Sequence, residues 1–187
     1  MSWSQVNTWE RDPNEYHNVY VLGLSIPQTS ALILGKYVAD ELEKDKSKDP
    51  LIEHYREFTP HCEIREYPMN EKLEEHINLK SFFDGFNEDK KEIIEIKTGA
   101  SWTQRKVDKH GQLDFYALQY YLRYKELPKS IRLVWLETKK DENFEVYLTG
   151  NFKVFNREIR IKDILSMINR IKKADEGITK MYECLNA

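Results

Sequence analysis

Apolar residues recur at three- and four-residue intervals in two stretches of the chain. Leu113, Tyr116, Ala117, Tyr120 and Tyr124 form one stripe, which predicts a helix over 107–124 that Leu127-Pro128 ends. Ile164, Leu165, Ile168 and Ile171 form the other and predict a helix over 161–174. Nearer the start, Thr29-Ser30-Ala31 opens a helix that runs through Gly35, Val38, Ala39 and Leu42 and closes in a charged run over 43–49. Shorter helices are predicted over 2–10, ending near Asp12-Pro13, and over 50–58, broken by Thr59-Pro60. Strand patterns fall at 62–67, 75–85, 92–97, 131–137, 144–148 and 152–155, with Asn87-Glu88-Asp89-Lys90 turning between the second and third. With neither an internal repeat nor a low-complexity linker, the pattern predicts one α/β domain over residues 1–187, a small mixed central sheet flanked by helices.

Charged residues make up 33% of the chain and apolar ones 40%, which places it with polar-surfaced folded proteins rather than disordered ones. Apolar runs such as Ser30-Ala31-Leu32-Ile33-Leu34 are too short to cross a bilayer, and no basic-then-apolar leader opens the chain, so a cytoplasmic location without membrane attachment is expected. Cys62 and Cys184 stand alone, which supports neither a disulfide framework nor a zinc or iron–sulfur site. A net charge of −3 gives no global pull toward nucleic acid. Its distribution is uneven, however: Lys97, Arg105, Lys106 and Lys109 gather after the third strand, and Arg157, Arg160, Lys162, Arg170, Lys172 and Lys173 gather near the C-terminus. The first arc suits a polyanion held beside an acidic site; the second reads equally well as solvated helix surface.

The segment richest in chemistry runs from Phe82-Phe83-Asp84-Gly85-Phe86 through an acidic turn to Glu92-Ile93-Ile94-Glu95-Ile96-Lys97-Thr98-Gly99. In a strand, Glu95 and Lys97 share one face and Ile96 takes the other. An acid and an amine inside an isoleucine-rich strand are costly unless paired, metal-bound or used. The same acid–x–lysine spacing at Glu88–Lys90, Asp89–Lys91 and Glu137–Lys139 lies in polar surroundings and reads as surface. An ordinary strand with an ion pair remains the plain alternative for Glu95–Lys97 as well.

The order of these parts resembles the PD-(D/E)XK nuclease superfamily, in its RecB-like, phage-type exonuclease branch. Asp84 followed by Glu95-Ile96-Lys97-Thr98-Gly99 is similar to the branch's core motif, and Gln112-Leu113-Asp114-Phe115-Tyr116 to its glutamine–xxx–tyrosine motif. Ser2-Trp3-Ser4, Asp12-Pro13, Tyr16 and Gly35 are similar to the branch's opening landmarks, so the resemblance covers residues 2–124. It implies a metal-dependent DNA nuclease, an exonuclease of recombination, repair or phage DNA processing. Asp84, Glu95 and the carbonyl of Ile96 would hold Mg²⁺ or Mn²⁺, hard cations that take oxygen ligands. Lys97 would orient the attacking water or stabilise charge on the phosphorane, and Gln112 and Tyr116, one helical turn apart, would position the metal water or the phosphate. DNA, as single strands or duplex ends, is the implied substrate, with a homo-oligomer or a helicase or recombination protein as partner. The four-cysteine iron–sulfur variant is absent.

One departure stands out. Branch members often carry a metal-binding histidine four residues after the glycine, where this chain has Ala39. Asp40, Glu43 or a water would have to substitute. Three readings follow: an exonuclease, a structure- or site-specific endonuclease, and a degenerate nuclease fold that binds nucleic acid or protein. Trp102 in the loop after the motif is suited either to stacking on a base or to packing back onto the sheet. His110 reads as a base or as a solvent-exposed residue, and Tyr116 as a site residue or as core.

Overall fold

The computed structural model describes residues 1–57, 64–99 and 101–186. The helix end predicted at Phe58, the break at Thr59-Pro60, and Cys62 lie outside the described residues. Local sequence explains how the N-terminal elements begin. Ser2 caps α1 (Trp3–Arg11) through a reciprocal box with Gln5, Asp12 caps α2 (Pro13–Tyr16), and a π-helical turn follows over His17–Val21. Thr29 Oγ1 accepts from Leu32 N at the start of α3 (Ser30–Glu43), and Asp49 with Pro50 starts α4 (Pro50–Arg56).

Five strands form one mixed sheet in chain order: β1 (Ile64–Lys72), β2 (Asn78–Asn87), β3 (Glu92–Gly99), β4 (Ser130–Lys140) and β5 (Val146–Arg157). β1–β2, β2–β3 and β4–β5 are antiparallel, and β3–β4 is parallel. A parallel step needs a crossover, here made by α5 (Gln104–Val107) and α6 (Gly111–Tyr124). The larger core packs α1, α6 and α7 (Ile161–Leu185) on one sheet face, around Val6, Phe83, Phe115, Leu118, Ile131 and Ile171. A smaller core of Val38, Leu42, Ile52, Ile94, Val134 and Leu136 packs α3 and α4 on the other. The expected class, a mixed sheet flanked by helices, is what the chain forms.

Several boundaries differ from the sequence pattern, among them the strand expected over 75–85, which spans Asn78–Asn87. The helix predicted over 107–124 is two helices, because Thr103 caps the short α5 and the chain turns at Asp108–Lys109 before α6 begins. The segments at 144–148 and 152–155 are one strand. It runs through Gly150, whose φ of 85° accommodates the irregularity opposite Leu136–Thr138. Phe144 stands outside that strand, in the turn before it. β1 extends to Lys72, well past the predicted 62–67, carrying Pro68 at the sheet edge where a missing N–H costs nothing.

The last helix does not stop at Ala174 but continues to Leu185, keeping Ile178 on the core. Gly177 is no stop signal there, because it makes room for a ring: a Cβ at this position would fall 2.5 Å from Trp9 Cζ2. Alanine in a helix interior ordinarily gains up to about 1 kcal/mol over glycine. Overpacking against Trp9 should reverse the sign and cost about 1–3 kcal/mol. Urea unfolding of Gly177→Ala checks this; a variant more stable than the parent would mean that Trp9 does not need the space.

Candidate active site

The site forms where two strands part. β2 and β3 pair at three positions only, Gly85 with Ile94, Phe86 with Ile93 and Asn87 with Glu92. Beyond that point the β3 backbone loses its β2 partner, and a buried N–H must find another acceptor. Asp84 supplies it: its Oδ2 accepts from Ile96 N at 2.6 Å. The carboxylate is thereby fixed in the fork between the strands. On the far side of β3 the parallel β4 ladder continues to Gly99, and Trp135 Nε1 donates to Gly99 O at 2.9 Å, so the strand bearing the motif is held along its length.

Glu95 and Lys97 lie on one face of β3, as strand alternation predicts, and form an ion pair. Ile96 turns to the smaller core instead. The Glu95 side chain is 1% exposed and that of Lys97 30%. Although Lys97 Nζ lies against it, neither Oε of Glu95 makes a hydrogen bond of good geometry. A buried carboxylate with both oxygens in this state is a costly arrangement in a protein interior. From α6, Gln112 Nε2 donates to the Tyr116 hydroxyl at 2.7 Å, and the Tyr116 ring is buried against Phe83. Tyr116 therefore packs in the core while its hydroxyl bonds a residue of the cavity wall.

Beside Tyr116, which does not line it, opens a cavity of about 300 Å³. Asp84, Glu95, Lys97 and Gln112 all line it, and α3 closes the opposite wall with Gly35, Ala39 and Glu43. Gly35 permits the approach of that helix, since a Cβ there would stand 3.2 Å from Thr98 Oγ1. Of the residues suited to replace the missing histidine, Glu43 reaches the cavity and Asp40 does not. Glu66, on β1, also lines it. Its signal was an acid next to Tyr67 in a predicted strand, concealed within the acidic stretch Glu63–Glu75.

Electrostatics follow from this crowding. Protein atoms close around the Asp84 carboxyl even though it opens to the cavity. That burial, and then the Glu95 charge, push its pKa well above the usual value, with Lys97 and the Ile96 N–H opposing. Burial alone would lower Lys97, but Glu95 and Asp84 outweigh it and hold the ammonium above its ordinary value. Burial, then Glu95 and Asp84, raise the Tyr116 phenol well above 10, so it remains protonated at any physiological pH. Burial and then Lys97 lower His110 to about 4, leaving a neutral imidazole whose Nε2 is buried without a hydrogen-bond partner.

The basic and aromatic candidates lie elsewhere. Trp102 is half-buried and packs edge-on against His110, with ring centres 4.9 Å apart. Arg105, Lys106 and Lys109 are exposed on and after α5, with Lys106 Nζ donating to Ser101 O at 2.7 Å. None of the four lines the cavity. The C-terminal basic group is partly internal: Arg157 is buried and paired with Asp114 at 2.9 Å, and Arg170 with Glu10 at 2.5 Å.

Among the described residues no three His, Cys, Asp or Glu side chains cluster tightly enough to cage a metal ion directly. The donor set nevertheless fits a hard divalent cation, which needs only one or two protein carboxylates and keeps several waters. Glu95, with two oxygens that lack hydrogen bonds, is the observation that favours this fit.

The raised pKa of Asp84 has a sign that can be tested. The folded state holds this proton more tightly than the unfolded chain, so the associated stability is fully present below the unfolded value and is lost as pH rises through the folded one. Asp84→Asn keeps an acceptor for Ile96 N and removes the titration. In EDTA, the variant should gain stability relative to the parent as pH climbs from about 4 toward 8. Thermal unfolding of both proteins across that range checks it; a constant difference would show that the carboxyl is unperturbed.

No family model matches the chain, and no curated protein does. Solved structures do. An alkaline exonuclease from Laribacter hongkongensis superposes with a TM-score of 0.56 at 12% identity, over 100% of this chain and 91% of its own; that enzyme has also been solved in complex with dAMP. A putative exonuclease from Eubacterium rectale gives 0.59 at 15% identity, over 95% and 81%. A phage-related exonuclease from Haemophilus somnus gives 0.53 at 14%, over 90% and 81%. Similarity at this level of identity lies in the backbone, and the chain thus has the fold of these exonucleases.

Proposed function

We propose that this protein is a divalent-metal-dependent deoxyribonuclease acting from DNA ends. The observation that carries the reading is the convergence of Asp84, Glu95 and Lys97 on one cavity at the strand fork, with the Glu95 oxygens lacking hydrogen bonds. Asp84 and Glu95, with the Ile96 carbonyl, would hold Mg²⁺ or Mn²⁺. Such an ion, when bound, neutralises phosphate charge and lowers the pKa of a water.

The chain's own residues account for the remaining steps. Asp84 must give up its proton to serve as a ligand, and Lys97, with its ammonium favoured by both acids, balances the charge. Lys97 is also the partly exposed member of its pair, so it can turn from Glu95 toward the phosphorane as negative charge builds there, a differential transition-state role. Tyr116, held protonated and accepting from Gln112, has its own proton free to donate and so serves as a donor and a positioning group rather than as a base. Arg105, Lys106 and Lys109, all exposed, are suited to hold the DNA backbone outside the cavity. Trp102 is placed for base stacking only if it leaves His110.

The dAMP complex of the Laribacter enzyme supports a nucleotide ligand for this fold, and the names of the neighbours favour exonuclease over endonuclease action. A role in recombination, repair or phage DNA processing inside the cell, with a second copy or a helicase as partner, belongs to the same proposal. Ala39 motivates a second reading, because α3 presents only a methyl group to the cavity at that point. On that reading the fold binds nucleic acid without cutting it.

Incubation of end-labelled linear DNA with Mn²⁺, Mg²⁺ or EDTA decides between the two. The parent should release label only with a divalent ion, and Lys97→Ala or Glu95→Gln should reduce the rate by about 10²–10³-fold while the circular dichroism spectrum is retained. Circular single-stranded DNA should survive. Binding without cleavage under every ion would favour the binding module, and rapid nicking of circles would replace exonuclease with endonuclease.

A further inference from the structure

The nuclease reading leaves Glu66 of the cavity without a task. Glu66 lies on β1 opposite Asp84: the flanking ladder pairs are Arg65 with Gly85 and Tyr67 with Phe83, and the position between them is skipped. Its backbone is left-handed, with a φ of 48°, which costs a non-glycine residue about 1–2 kcal/mol. Like charges directly opposite in an antiparallel pair also destabilise the ladder. The charges that act on Glu66 across the cavity are the carboxylates of Glu43 and Glu95, and Asp84 in turn feels Glu66. One cavity thus holds four carboxyl groups against the single ammonium of Lys97. A strained acid that faces other acids across a cavity implies that something cationic belongs between them.

The distances limit what Glu66 can do. Among the described residues no three acids cluster tightly enough to ligate one ion directly, so a cation on Asp84 and Glu95 would meet Glu66 through its hydration shell. A hydrated divalent ion carries ordered waters whose hydrogens need acceptors. On the α3 side Ala39 offers none, whereas on the β1 side the Glu66 carboxylate faces the cavity.

We infer that Glu66 is a positioning residue of the cation site, accepting a hydrogen bond from a water on the ion held by Asp84 and Glu95. The inference rests on the nuclease reading in requiring that ion. It assigns a role to a strand that the core motif does not include.

Mn²⁺ binding to the purified protein, followed by calorimetry and by the electron paramagnetic resonance of free Mn²⁺, tests this without any cleavage assay. The parent should bind Mn²⁺, and Glu95→Gln should not. Glu66→Gln should weaken binding by about 10–100-fold, as loss of a second-layer partner does at metal sites. Glu66→Gly, which relieves the left-handed backbone and so keeps the fold, should weaken it at least as much. Glu43→Gln removes an equal charge from an exposed position of the same cavity and should change affinity far less. Parent-like binding by both Glu66 variants overturns the inference while leaving the nuclease reading intact. Equal losses for Glu43→Gln and Glu66→Gln also overturn it, since bulk charge would then account for the effect. A parent that binds no Mn²⁺ overturns the metal-dependent reading itself.

Discussion

The site depends on one hydrogen bond, from the Ile96 amide to the Asp84 carboxylate. A sheet that splits has to satisfy the amides it exposes, and an unpaired buried N–H costs about 1–3 kcal/mol. Where β2 leaves β3 after three ladder pairs, a side chain takes the place of the strand. This solves a folding problem and a chemical one together. The acceptor is charged when ionised, so the substitute bond is of the stronger, charge-assisted kind, and the same carboxylate is delivered to the mouth of a cavity. Moving Asp84 one residue along β2 would turn it to the opposite face, where Phe83 packs on Tyr116. The acid is thus tied to the strand register as firmly as the core is.

The second constraint is charge. Glu95 lies within the fold next to Lys97, and an internal ion pair seldom returns the full desolvation cost of its members. Well-packed apolar residues of similar volume are often as stable as such a pair or more so. Retaining Glu95 with both oxygens lacking hydrogen bonds, and raising Asp84 against it, is the pattern expected where stability is given up for function. Elsewhere the chain treats charges conventionally. Glu92 pairs with Arg132 and Ser130 at the far end of the same strand, and Arg157 pairs with Asp114. The contrast within β3, one acid fully partnered and one not, separates structural from chemical use of the same residue type.

Much of this was legible in the sequence because it rests on period and order. The alternation at Glu95-Ile96-Lys97, the stripe on α6 and the spacing from Asp84 to Glu95 are one-dimensional facts that survive folding unchanged. What stayed hidden was set by residues distant in the chain. Gly177 looks like a helix stop until Trp9 is known to lie over it. Gly150 looks like a turn between two strands until β4 is seen to carry a matching irregularity. Glu66 was indistinguishable from its acidic neighbours, because a left-handed residue breaks the very alternation by which a strand residue is assigned to a face. Trp102 could not be assigned at all without His110 beside it.

The wall opposite the fork completes the argument. The lack of a side chain at position 35 eases the approach of α3 to β3, where a Cβ would crowd Thr98 Oγ1, and the helix presents Ala39 to the cavity. A helix that offers only the Ala39 methyl group at this part of the wall leaves room for ordered water rather than for a direct protein ligand. The acids that could organise that water lie at the margins, Glu43 at the end of α3 and Glu66 on β1. Glu43 is exposed and free to move with solvent, whereas Glu66 is half-buried and held by the β1 backbone. A group that orders water must itself be ordered, since the entropy of fixing a mobile side chain offsets the hydrogen bond it makes. Rigidity, more than charge, therefore makes the β1 side the one on which this cavity can compensate for what α3 lacks.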